Sequence, residues 1–578
     1  IRIEYHDEPS LRYGDNVAAV LNYIVRRHQT GGYIGINADI PMSCIWGNNN
    51  VTAKINHKKS EWGINYYGGY RSFKNYWREN SETFNFENDP SFTRVEEGIP
   101  DKVKMHRDNL TMSYSYQEEE KWFINVALRG NFRGNKQNTQ STLYPISNPA
   151  NSVEMKDYTG SNSKSPSLDI YLQRNLKHNQ AIILNTVGTY IHTYDDRTYE
   201  EKKHSDIVTD IYSAIRGKKY SFIGEGIYEK RFTNSKFSTG IRHQQSLTEN
   251  RYAGTSSAET QMQEAYTSTY VEYSCKVKKF NYSLGLQGSR SWFNQEGEGY
   301  QQYSFLPRLR LTYNFSDHAF IRYQGDISRS TPALSDLNNV EQLIDSLQIR
   351  RGNPTLKMST VYNNTLNFDY RKGLFSGSLY LLYQYQRKPN MEETIRENDL
   401  FIRTIANQRS WQKLNPEIEV KVGPFKDILS LSVTTGINYF DSRGHNYHHT
   451  YTNWYYRASI MASYKNWSSF FEIQNHRNDF YGETLRYGEN YHILGINYRY
   501  KQLTAGIMGL NLFSDNYKVG SENFNSSAPS KNWMYIKESS RMIAVSIAWN
   551  FSFGRKYESA EKRLHNEDNN AGTLKSGK

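Results

Sequence analysis

The sequence lacks much of what a soluble globular protein of its length needs. Hydrophobic residues make up only 37% of the 578 residues, which is too few for a large apolar core. No run of 18 apolar residues occurs, so the sequence predicts no transmembrane helix. The two cysteines, Cys44 and Cys275, lie far apart and belong to no CxxC or Cys/His spacing, so no zinc site is expected.

Two further absences concern function. The net charge is +12, but the lysines and arginines are scattered and form no dense basic stretch, so nucleic-acid binding is not expected. No G-x-S-x-G, H-E-x-x-H or Walker A motif is present, and no pair of carboxylates has a catalytic spacing. We therefore expect no enzyme, no resident metal and no cofactor.

Aromatic residues, by contrast, are abundant. They make up 14% of the chain, with 47 tyrosines, and this argues against disorder. From Ile543 to Phe553 every odd residue is large and apolar and every even residue is small or polar, which predicts a strand with one apolar face. Such a face packs on a second sheet in a soluble sandwich, or meets lipid in an outer-membrane barrel whose polar face lines the lumen.

The connections between strands alternate in length, and this decides between the two architectures. Similar alternating segments occur at 374–386, 428–439 and 493–500. Short connections fall at 57–61, 117–121, 176–180, 232–236, 276–280, 314–318, 371–374, 423–427, 464–468 and 500–504. Long polar segments fall at 72–105, 133–166, 194–209, 247–259, 291–301, 329–357, 476–488 and 514–540.

Short turns alternating with long loops are typical of an up-and-down outer-membrane barrel with periplasmic turns and extracellular loops. We predict an all-β, closed, antiparallel transmembrane barrel of 22 strands that occupies residues 31–554, with 210–231 as one long strand. The polar residues 555–578 are predicted to form a flexible periplasmic tail.

Three stretches carry a resemblance to a known family. The N-terminal stretch YHDEPSLRYGDNVAAVLNYIVRR holds a P-x-x-R-Y-G motif, a long loop closes on GNPTL at 352–356, and the chain ends in WNFSFGRKY and a polar tail. Together they resemble TonB-dependent receptors of the Bacteroidetes outer-membrane β-barrel type. The matching positions at the end of the plug domain are Pro9, Arg12, Tyr13 and Gly14.

The resemblance implies a protein of the bacterial outer membrane that imports a scarce nutrient: an iron chelate, haem, a peptide, a vitamin or a glycan. It implies contact with outer-membrane lipid, with the TonB complex where a plug is present, and with a surface lipoprotein in some members. Residues 1–30 would be the C-terminal remnant of a plug, and we expect the chain to be a fragment of a longer protein. The alternative is a non-transporting barrel that serves as a structural or docking subunit of an outer-membrane complex.

Ligand contacts are expected on loops at the extracellular mouth, chiefly 329–357, 441–450 and 514–540. Arg350 and Arg351 precede the GNP turn and could bind an anionic ligand, or could merely keep the loop soluble. Trp292 could stack on a sugar or peptide, or could belong to the aromatic girdle at the membrane interface.

A histidine cluster forms the other candidate contact. His445, His448 and His449 lie within the stretch RGHNYHHT. Imidazoles could bind a metal or haem iron, or an anion when they are protonated. The alternative is a solvated loop whose histidines bind nothing.

Overall fold

The computed structural model describes residues 2–6, 20–24, 30–42, 44–87, 89–118, 121–554 and 562–577. The plug-like motif at Pro9, Arg12, Tyr13 and Gly14 lies outside these residues. Near the N-terminus, Arg2–His6 and Val20–Ile24 pair as an antiparallel hairpin. Among the described residues, no helix has the length and apolarity to cross a membrane.

Twenty-two antiparallel strands close into one barrel, which confirms the predicted fold. The first strand pairs with the last over 11 residues, from Gly31 opposite Gly554 to Pro41 opposite Ala544. Closure leaves no unpaired strand edge, which a lipid environment requires. The strands are β1 Gly31–Pro41, β2 Ile45–His57, β3 Ser60–Phe84, β4 Asp101–Glu118, β5 Trp122–Pro145, β6 Val153–Leu176, β7 Gln180–Lys203, β8 Asp206–Arg231, β9 Ser235–Gly254, β10 Ala258–Val277, β11 Phe280–Gln295, β12 Glu298–Ser316, β13 Ala319–Ser330, β14 Ser359–Lys372, β15 Phe375–Arg387, β16 Ser410–Phe425, β17 Leu429–Arg443, β18 His448–Tyr464, β19 Trp467–Gln474, β20 Tyr491–Tyr500, β21 Leu503–Leu510 and β22 Met542–Gly554.

All ten predicted short connections join neighbouring strands, and all lie on one side of the barrel, which we call the turn edge. The opposite side, the loop edge, carries the long connections. The single long strand predicted at 210–231 is also present, as β8. The positions of the short turns in the sequence therefore predicted the strand ends on this side correctly, because each turn interrupts the period-two pattern at a definite residue.

The apolar face of β22 points out of the barrel, as predicted. Ile547 and Trp549 are 39% and 37% exposed, whereas Ala544, on the other face, is 1% exposed. Large apolar side chains that remain exposed on the outside of a closed barrel are the surface that lipid covers.

Several segments predicted to be long loops are largely strand. β6 and β7 each run for 24 residues, although the sequence analysis assigned parts of 133–166 and 194–209 to loops. The prediction failed there because a strand that extends beyond the membrane pairs with its neighbour in water. Its outward face then needs no apolar side chains, and the period-two signal disappears.

Further strands decorate the loop edge. Phe92–Ile99 pairs with β3 and β5 and extends the barrel wall. Four short strands pair in succession and join the wall where Ser530–Ile536 pairs with β3. They are Asp479–Tyr481, Thr484–Arg486, Lys518–Asn523 and Ser530–Ile536, and a 3-10 helix follows at Lys537–Ser539. Four more strands form a separate sheet: Glu341–Leu343, Gln348–Arg351, Asn390–Glu397 and Leu400–Asn407.

Candidate functional site

The two connections 331–358 and 388–409 fold together on the loop edge into a structure that we call the lid. Its four strands form one sheet, in which Gln348 pairs in parallel with Phe401. The GNP turn orders the first connection, because the backbone N–H of Asn353 donates to the carbonyl of Asp336 at 2.5 Å. Gly352 is required here: a Cβ atom at this position would lie 1.8 Å from the carbonyl oxygen of Asn338.

Buried charges hold the lid to the barrel rim. Arg94, on the strand that extends the wall, lies 2.9 Å from Glu82 of β3 and 2.7 Å from Asp345 of the lid. Arg197 of β7 binds Asp157 at 2.8 Å and donates to the carbonyl of Ile344 at 2.8 Å. These groups are all buried, so a break at any one of them would leave a charge without its partner in a dry environment.

Apolar clusters hold the lid at other points of the rim. Phe401 packs on Phe84 with ring centroids 5.1 Å apart. Leu337 packs in a cluster with Met262 and Phe293 of β10 and β11. Met391 joins a further cluster of aromatic residues at β16 and β17. Because its contacts reach strands on several sides of the barrel, the lid covers the mouth.

The C-terminal segment, residues 562–577, lies inside the barrel. Leu564 is buried in a cluster with Phe123, Tyr171, Ile183 and Ile227 of the wall. This placement differs from the flexible periplasmic tail expected from the sequence. A polar composition predicted solvation, but the lumen wall is itself polar and supplies the segment with partners.

A cavity of about 530 Å³ lies between this segment and β2–β7. Arg107 of β4 and Arg133 of β5 both line it, and they are direct cross-strand partners. Both side chains are exposed to the cavity. In the part of the chain that the structure describes, neither forms a hydrogen bond or an ion pair. Neighbouring polar side chains line the same cavity: Asn48, Asn131, Asn135, Ser161, Ser163 and Ser165.

Comparison of the sequence with family models identifies the class. The model of the outer membrane protein beta-barrel family matches residues 192–549. The chain belongs to this family. As a member, it resides in the bacterial outer membrane, where lipid contacts its apolar outer face and the loop edge is extracellular. No curated protein matches the chain in sequence.

Solved structures share the fold of this outer-membrane barrel at low sequence identity. The FrpB iron transporter from Neisseria meningitidis is 10% identical, with a TM-score of 0.60, over 91% of this chain and 82% of that one. The copper transporter OprC is 8% identical, with a TM-score of 0.64, over 92% and 83%. The siderophore receptor PirA from Pseudomonas aeruginosa is 13% identical, with a TM-score of 0.52, over 94% and 85%.

The two arginines predicted from the sequence both lie on the lid of this barrel, but they differ in their partners and in the direction of their pKa shifts. Arg351 forms ion pairs with Glu397 at 2.7 Å and Glu341 at 2.6 Å, and hydrogen bonds to these carboxylates raise the pKa of its guanidinium. Arg350 donates to the carbonyl of Lys575 at 3.3 Å, and burial lowers its pKa. Both arginines therefore have partners within the protein.

The three predicted histidines do not converge. His449 lies 3.3 Å from Glu483, and its ring stacks on Tyr447. His448 lies 3.4 Å from Asp441, which also accepts a hydrogen bond from Arg443 at 2.9 Å. His445 is exposed on the turn before β18. No group of three metal-ligating side chains occurs among the described residues.

Trp292 does not lie in a loop, although it falls within 291–301, which the sequence predicted to be a long loop. It lies within β11, opposite Ala265 of β10. Its neighbours Ser291 and Phe293 are buried on the inner face, so Trp292 lies on the outer face with Leu284 and Leu286. This position is the one that the aromatic-girdle alternative requires.

The sequence did not single out Arg107 and Arg133. Each falls on the inward face of a strand, where the period of two could have placed it. Their proximity, however, depends on the register between β4 and β5, which a 22-stranded barrel sets by pairing along the whole sheet.

Proposed function

We propose that the chain forms the barrel of an outer-membrane receptor that imports an anionic ligand, such as a metal chelate that carries carboxylate or phenolate groups. The observation that carries this proposal is that Arg107 and Arg133 lie opposite each other on the lumen wall and that neither side chain has a hydrogen-bond or ion-pair partner among the described residues. Solved structures with the same fold are named as transporters of iron and copper and as a siderophore receptor, which supports a transport role.

Two guanidinium groups directly opposite each other repel, and the repulsion destabilises the sheet. An anion placed between them would remove this cost and could accept bidentate hydrogen bonds from both. The amides and hydroxyls that line the same cavity, including Asn131 and Ser163, would satisfy the remaining polar atoms of the ligand. A volume of about 530 Å³ falls within the range of small-molecule sites, roughly 300–1,000 Å³.

The lid and the lumen site would act in sequence. A ligand captured at the loop edge can reach Arg107 only after the lid moves, because the lid covers the mouth. The resemblance to TonB-dependent receptors implies that the energy for this movement, or for release of the ligand, comes from the TonB complex.

The test compares uptake of ferric chelates that differ in charge, in cells that depend on this protein for iron. Hydrogen bonds to charged groups contribute about 1.5–3 kcal/mol each, so R107Q/R133Q should weaken binding of an anionic chelate by at least about a hundredfold. Arg290 lies on the outer face of β11 and bonds to Gln301 at 3.0 Å, so R290Q removes a charge outside the lumen and serves as the control.

Equal uptake of every anionic chelate by R107Q/R133Q and R290Q cells, at equal surface expression, would refute the anion site. If no chelate depended on the protein while assembly of an outer-membrane complex did, the result would favour the docking role instead.

A further inference from the structure

The C-terminal segment is bound along the lumen wall by contacts that repeat from one end to the other. In its first half, Asn566 donates to Asn185 at 2.9 Å and to Glu225 at 2.7 Å, and it accepts from Arg242 at 3.2 Å. Side chains of the segment alternate between buried and exposed from Leu564 to Asn569. The segment is therefore extended, with one face on the wall and the other toward the cavity.

One of these contacts compensates a buried charge. Lys219 of β8 is 1% exposed, and its ammonium group lies 3.0 Å from Glu264 of the wall and 3.0 Å from Asp568 of the segment. A lysine is almost never fully buried unless it is paired. The wall residue Lys219 thus has a binding partner supplied by the segment.

The contacts follow strand β7 toward the loop edge. Asn566 meets Asn185, Lys575 lies 2.6 Å from Asp195, and Gly577 lies beside Arg197. The three positions on β7 span 12 residues, or about 40 Å at the rise of a strand. The segment therefore follows the lumen wall for about 40 Å along the strand, up to the part of β7 that extends beyond the membrane.

At its upper end the segment also binds the lid. The carbonyl of Gly572 accepts from Asn250 of β9 at 3.1 Å and from Asn338 of the lid at 3.4 Å. The carbonyl of Lys575 accepts from Arg350 of the lid at 3.3 Å. Release of the segment would remove lid contacts together with lumen contacts.

We propose that residues 562–577 are an internal gate: a peptide segment that is bound in a groove formed by β6–β9, ties the lid to the lumen wall, and must leave this groove before the lid opens and the pore conducts. The groove is a binding site for an extended peptide that buries every second side chain, here Leu564, Asn566 and Asp568. The gate is independent of which ligand the barrel carries, because it concerns passage through the lumen.

Disulfide trapping tests the position of the segment. A Cβ atom on Gly217 of β8 would lie 2.8 Å from the Cγ2 atom of Thr573, so G217C/T573C should form an intramolecular disulfide in outer-membrane vesicles. The two thiols, Cys44 and Cys275, are first replaced by serine. Gly188 of β7 has nothing within 4 Å of its Cβ position and lies on the outer face, so G188C/T573C should not cross-link.

Conductance in planar bilayers tests the gate. The full chain should conduct poorly, and L564D should conduct severalfold more, because it places a charge in the apolar cluster that anchors the segment. N569D adds the same charge on the exposed face of the segment and should leave conductance unchanged. In L564D combined with G217C/T573C, oxidation should lower the conductance and reduction should raise it again.

The proposal is overturned if G217C/T573C cross-links no better than G188C/T573C, since the segment is then not in the groove. It is also overturned if L564D inserts as a folded barrel that conducts no more than the full chain. Deletion of 562–578 provides a second comparison, and an unchanged conductance of that folded barrel would lead to the same conclusion.

Discussion

Arg94 is the residue whose loss should release the lid. Its side chain is 7% exposed, and the carboxylates that surround it are similarly buried: Glu82 is 5% exposed, Asp345 is 1% exposed and Glu201 is 6% exposed. The guanidinium lies 2.9, 2.7 and 3.5 Å from these groups. Arg94→Met keeps much of the side-chain volume but removes the cation that these three buried carboxylates share.

The loss of one partner from a buried ion pair costs about 3–5 kcal/mol. If this cost falls on the contact between lid and rim, the population of open lid rises by about two to three and a half orders of magnitude. Phe401 of the lid is 0% exposed, so chymotrypsin can cleave after it only when the lid opens. The cleavage rate measures the open population as long as closing is faster than cleavage.

Arg351→Met is the matched control. Arg351 also contacts carboxylates, but its side chain is 30% exposed and those of Glu341 and Glu397 are 52% and 46% exposed. Exposed ion pairs contribute about 0–1 kcal/mol, so cleavage should rise less than about fivefold. Equal cleavage rates in the two variants would refute the assignment of Arg94 as the buried anchor.

The remaining predictions concern the lid backbone, the lipid face and pH. Gly352→Ala should destabilise the lid by about 1–3 kcal/mol, measured by the same cleavage assay, whereas Gly188→Ala, which meets no atom within 4 Å, should change little. Ile547→Arg should lower the free energy of unfolding in lipid vesicles by about 2–4 kcal/mol if it lies near the bilayer midplane, and Ser546→Arg, on the lumen face, should cost less. A hydrogen bond from its arginine partner lowers the carboxyl pKa of Glu397, so this pair stabilises the lid above the unfolded pKa of about 4.3 and stops doing so as pH falls through the lowered value. Hydrogen exchange of the lid strands should therefore differ between Glu397→Gln and the unchanged chain at neutral pH but not in acid; a difference that persisted in acid would contradict this cause.

The sequence alone determined the barrel and its outward face. In β22, the alternation from Ile543 to Phe553 is a local pattern that follows from the geometry of one strand and from one solvent, lipid, on its outer side. The turns were predictable for the same reason, since each interrupts the pattern within a few residues. Where strands leave the membrane, as in β6 and β7, water faces both sides and the pattern no longer distinguishes strand from loop.

The candidate site depended on contacts between distant parts of the chain. Arg351 and the histidines were conspicuous in the sequence, but in the folded protein they pair with nearby carboxylates or remain apart. Arg107 and Arg133 became a pair only through the register of two strands. Lys219 meets Asp568 across 349 residues of sequence. The period-two pattern of the sequence shows which face of a strand meets lipid and which meets the lumen. The partner of a lumen side chain is set by the closure of the whole sheet, so only the tertiary structure decides it.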